Sequence, residues 1–179
     1  MTTIQARGLA LPIQGVRAKT VATLVAIAAT VALPQAMHVA GGGPALAQVW
    51  LPLFAPVMLV GLLAGPEAGL ATGVLGPLVS FGLTGMPAPA LLPSLAVQLA
   101  TFGLVAGLVA RTRWHVLAKT AAILASGNLA GCAFALVVGL VAHGPAAQLW
   151  WAALVVGLPG LALQCVVLPL VAAWAARRA

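Results

Sequence analysis

LPLFAPVMLVGLLAGPEAGLATGVLGPLVSFGLTGMP, residues 51–87, is the stretch whose reading decides the fold. Its apolar residues do not alternate with polar ones, as strands of a membrane-spanning barrel would require. They run on continuously, broken at Gly65-Pro66-Glu67 and closed by Thr84-Gly85-Met86-Pro87. Lipid offers nothing to a bare backbone amide or carbonyl, so a continuous apolar run in a bilayer is a helix. Two membrane helices are predicted, over residues 51–64 and 68–83. Both are short against the roughly 20 residues that cross a hydrocarbon core, so tilt or shelter by neighbouring helices is expected.

Outward from this stretch the pattern continues. Glu67 is the only acidic residue among 179, charged residues make up 5% and hydrophobic residues 63%. A soluble domain carries about a quarter charged residues to solvate its surface, so most of this surface must face lipid. Four further apolar runs, residues 20–39, 93–110, 116–141 and 149–176, complete an all-α membrane protein of six transmembrane helices in one compact bundle. A lead over residues 1–19 precedes this domain (20–176), and a tail over 177–179 follows it.

The net charge of +7 comes from Arg7, Arg17, Lys19, Arg111, Arg113, Lys119, Arg177 and Arg178. These form clusters between apolar runs, not a basic stripe with interleaved base-stacking aromatics, and that excludes a nucleic-acid partner. With six spans, all three clusters fall on one side, which the positive-inside rule makes the cytoplasm, with both termini there. A rival reading takes residues 20–36 as a cleaved signal peptide, since a basic lead precedes a short apolar run ending at Ala36. It would leave five spans with the same orientation. Ala18, Ala22 and Ala26 form a small-xxx-small stripe, which permits close helix approach. That approach is either to a helix of the same chain or to a separate membrane subunit.

No span carries an ionisable residue other than cysteine near its middle. Proton-coupled carriers need carboxylates or histidines in the bilayer, and intramembrane metalloproteases an H-E-x-x-H site. Neither is here, so the chain is read as no enzyme, with no cofactor and no metal. Cys132 and Cys165 read as small apolar side chains packed in helices. The polar groups within the spans are neutral: Ser80, Gln98, Asn128 and Gln164. Each must point inward, either to another helix or to a neutral or zwitterionic ligand. The outer loops carry His38, Gly41-Gly42-Gly43, Trp50, Met86, His143, Trp150 and Trp151. Glycines there suit a lid, and the tryptophans suit either an interfacial belt or a clamp over a ligand.

Residues 51–87, the following LAVQLATFGLVAGL and PGLALQCVVLPL at 159–170 resemble the substrate-specific (S) components of energy-coupling factor (ECF) transporters. The Gly65-Pro66-x-x-Gly69 turn and the Thr84-Gly85-Met86-Pro87 loop carry the resemblance most specifically. It implies a six-helix subunit of the bacterial inner membrane that binds a water-soluble vitamin or vitamin precursor under the first, third and fifth loops. It implies as partners a transmembrane coupling subunit and paired cytoplasmic ATPases, with the Ala18, Ala22, Ala26 stripe as docking face. Relatives often carry a His where this chain has Ala55 and a Glu where it has Gln98, so no relative's ligand carries over. The substrate-binding candidates are Trp50, Met86, Gln98, Asn128, Trp150, Trp151 and Gln164. The rival functions are a membrane accessory or assembly protein that carries no solute and a small facilitator.

Overall fold

The computed structural model describes residues 13–178. The N-terminal part of the lead, with Arg7, and Ala179 lie outside them. Among the described residues there are eight α-helices and no strand: α1 Val16–Met37, α2 Gly43–Trp50, α3 Phe54–Ala64, α4 Pro66–Thr84, α5 Leu92–Ala110, α6 Val116–Ala142, α7 Ala146–Val156 and α8 Leu158–Arg178.

The breaks follow backbone chemistry. Gly41, at φ 88, kinks the chain within the π-helical turn His38–Gly42 that separates α1 from α2, a conformation open to glycine at little cost. Gly65, at φ 108, turns the chain between α3 and α4. Pro66 then starts α4 where its missing N–H costs nothing, and Glu67 meets the positive end of the helix dipole. Gly85 closes α4 in the left-handed conformation, its N–H donating to the Phe81 carbonyl.

Unbroken runs long and apolar enough to cross a membrane are Val16–Gly41, Leu46–Ala64, Leu92–Ala110 and Val116–Ala142. The pair Ala146–Val156 and Leu158–Val171, bent by 59°, makes a fifth if it counts as one span. The expectation of six spans is thus met in the placement of the helices but not in the count. α4 falls short in composition, not in length: its 19 residues include Glu67, four glycines and two prolines. The run predicted at 149–176 divides at Gly157.

α4 packs against α1, α3 and α5. Glycine sets how closely. A Cβ built on Gly69 would run into the Gly103 carbonyl oxygen, and one on Gly103 into that of Gly69. Gly73 meets the Leu99 backbone in the same way, and Gly107 meets Pro66. With no hydrophobic effect to drive helices together in lipid, such backbone approach is a main source of association. Beside this seam, α3, α5, α6 and α8 enclose a core of Phe54, Met58, Leu99, Phe102, Ile123 and Leu168. The Phe54 and Phe102 rings stand 5.4 Å apart, tilted by 49°, within the favourable range for aromatic pairs. Large side chains such as Leu129 (70% exposed) and Leu140 (74%) lie open on the outside, as lipid-facing residues do.

The two ends of the bundle differ. At one, the Ile13 N–H donates to the Leu63 carbonyl and the Lys119 ammonium to the Ala110 carbonyl. Arg17 and Lys19 at the start of α1, and Arg111 and Arg113 after α5, belong to this end. At the other, His38 meets Met86.

Candidate functional site

At the uncharged end lies a cavity of about 650 Å³, within the range of pockets that hold small organic ligands. The end of α1 and the 85–89 loop border it with His38 and Met86. The α2–α3 junction supplies Gln48, Leu51 and Phe54, and α7 supplies Trp150 and Ala153. Ser80 of α4, Gln98 of α5 and Leu161 of α8 also line it. The lining is mostly apolar, and among the described residues it holds no Asp, Glu, Lys or Arg. Leu51 reverses the chain between α2 and α3 at φ 48, an unusual conformation for a bulky residue.

The polar groups are few: Gln48 is exposed and His38 half-buried, while Ser80 and Gln98 are buried. Ser80 is 2% exposed and Gln98 4%. Gln98 Nε2 donates to Asn128 Oδ1 at 3.0 Å, and Asn128 Nδ2 donates to the Leu124 carbonyl at 2.7 Å. His38 Nε2 lies 3.1 Å from Met86 Sδ, while His38 Nδ1 is buried without a partner among the described residues.

Of the seven residues nominated from sequence, Met86, Gln98 and Trp150 line the cavity. Asn128 stands behind Gln98 and reaches the cavity only through it. Gln164, 4% exposed, sits one residue triplet beyond Leu161 on the same face of α8; its Oε1 is buried without a partner among the described residues. The Trp50 side chain is 40% exposed and not part of the lining; its backbone instead seats α8, close against Gly160. Trp151 is 61% exposed and points away. Sequence reasoning left out His38, Leu51 and Phe54. A loop histidine reads as solvated until its contact 48 residues away is known, and the two apolar residues carry no signal that separates wall from core.

On the α1 stripe, Ala26 is 7% exposed and packs with Val60, Ala64 and Ala68, with Ala22 against the cluster's edge. These two therefore meet the chain's own helices, while Ala18 is exposed. Cys132 and Cys165 are both free thiols.

Compared with known proteins, residues 17–172 match the family model described as ECF transporter, substrate-specific component. No curated protein and no solved structure matches the chain.

Proposed function

Because the chain belongs to the substrate-specific components of ECF transporters, we propose that its cavity is the site of a water-soluble vitamin or vitamin precursor bound for ATP-driven uptake. The observation that carries this reading is the position of the cavity. It lies at the end opposite the basic clusters, lined by His38 at the start of the first connection of the bundle, by the 85–89 loop of the third and by α7 beyond the fifth, counting α4 as a span and α7–α8 as one. The positive-inside rule puts the basic end in the cytoplasm of a bacterial inner membrane, so the cavity receives solute from outside. α4 completes six spans by lying among α1, α3 and α5, where its glycines and its one carboxylate, at its first turn, are sheltered or near the interface.

The chain supplies binding, not energy: a coupling subunit in the membrane and paired ATPases on the cytoplasmic side drive release. Docking to the coupling subunit uses Ala18 and the exposed face of α1 beside it, where Val21, Leu24 and Val25 are 59–62% exposed. Ala22 and Ala26 support that face from within.

A thermal-shift screen of the detergent-purified chain against vitamins and their precursors tests the proposal. A ligand at a hundred times its Kd is expected to stabilise the fold by about 2.7 kcal/mol. No shift from any compound, in a preparation that elutes as one folded species, would count against a solute site and favour an accessory role.

A further inference from the structure

Resting on the reading of this cavity as a solute site, we propose that Asn128 is a positioning residue. It fixes Gln98 as a hydrogen-bond acceptor, so that the cavity selects a ligand with an uncharged N–H or O–H donor at that point.

Neither amide is oriented by its shape alone, since oxygen and nitrogen ends are nearly alike. The backbone breaks the tie. The Leu124 carbonyl can only accept, so the Asn128 atom 2.7 Å from it is Nδ2. That leaves Asn128 Oδ1 facing α5, where it too can only accept. The Gln98 atom 3.0 Å from it must then be Nε2, and Oε1 remains. Gln98 is 4% exposed, lines the cavity, and has no partner for Oε1 among the described residues. Its polarity is thus set two bonds away, by a carbonyl of α6.

At the roof, His38 Nε2 lies 3.1 Å from Met86 Sδ. A ligand carboxylate placed against Gln98 would set oxygen against oxygen. A cation would lose its hydration with no acidic side chain in the lining to replace it. An amide, ureido or imide N–H, or a hydroxyl, completes the bond at no such cost. Trp150 and Ser80 offer hydrogens elsewhere on the wall and leave the choice at Gln98 unchanged.

The test uses the full chain in detergent, titrated calorimetrically with three matched pairs: riboflavin and 3-methylriboflavin, biotin and its ureido N-methyl derivative, and pantothenol and pantothenate. At least one N–H compound is expected to bind, with its methylated twin about tenfold to a hundredfold weaker. Asn128→Leu, which frees the Gln98 amide to turn, is expected to shrink that ratio to within about threefold, a change that a loss of stability alone does not produce. Gln98→Met, which keeps the length of the side chain, is expected to do the same and serves where Asn128→Leu does not fold. Equal binding of both members of a pair, a preference for pantothenate over pantothenol, or a ratio that survives both variants would overturn the inference while leaving the solute site standing. Silence from all six compounds would overturn the inference, and the solute-site reading falls with it only where the thermal-shift screen is silent as well.

Discussion

Gly103→Val is expected to remove the folded chain from detergent extracts. A Cβ at this position runs into the backbone of Gly69, and the two extra methyl groups of valine need still more room. The atoms it meets are a carbonyl group and an α-carbon, not the flexible end of a side chain, so no rotamer change relieves the clash. α4 and α5 must separate, and the approach of Gly73 to Leu99 and of Gly107 to Pro66 is lost with them. α5 also carries Leu99 and Phe102 into the core, so the disturbance does not stay at the seam. The expected cost exceeds about 4–5 kcal/mol, comparable to the whole stability of many domains. Gly82→Val is the control, because nothing lies within 4 Å of a Cβ there. Size-exclusion chromatography of both variants, fused to a fluorescent reporter, reads the result. A sharp monodisperse peak for Gly103→Val would mean that the α4–α5 seam is not as close as described.

The same seam shows where the sequence was legible and where it was not. Apolar run lengths placed the long helices to within a few residues, because a lipid-facing helix must be apolar along its length whatever its neighbours. The Gly65-Pro66 turn was equally plain, since both residues dictate backbone geometry locally. Spacing alone did not say which small-residue stripe meets which helix. Ala18, Ala22 and Ala26 have the same period as Gly69 and Gly73, or Gly103 and Gly107, yet the glycines make the closest contacts. The break at Gly157 was hidden because both sides of it are apolar, and a bend of 59° leaves no mark in composition. α4 was placed correctly, but its glycines and prolines lower its hydropathy because it packs on protein over much of its surface. For the site, the intramembrane amides stood out on cost alone. That Gln98 faces the cavity while Asn128 stands behind it depends on how α5 and α6 face one another, which no local pattern encodes.

The adjacent tryptophans were equally inseparable by sequence, and they now make opposite predictions. Trp150 is 6% exposed and lines the cavity. Its indole fits because Gly131 of α6 has no side chain: a Cβ there would lie 2.9 Å from Trp150 Nε1 and 3.0 Å from Gln98 Cβ. The ring therefore stands beside the Gln98 amide, forming apolar wall and polar neighbour together. Trp151, one residue on, is 61% exposed, where a membrane interface favours an indole without any ligand. Trp150→Ala is expected to weaken binding of a screened ligand by about 2–4 kcal/mol, roughly 30- to 1000-fold, the range for a buried aromatic anchor. Trp151→Ala is expected to change affinity by less than about twofold. Trp150→Phe should recover most of the loss if the ring acts by contact, and little if the ligand accepts a bond from the indole N–H. Isothermal titration of the three variants distinguishes these outcomes. Unchanged affinity in Trp150→Ala would place the ligand elsewhere, whereas equal losses at both tryptophans would point to a disturbed helix α7 and not to a contact within the cavity.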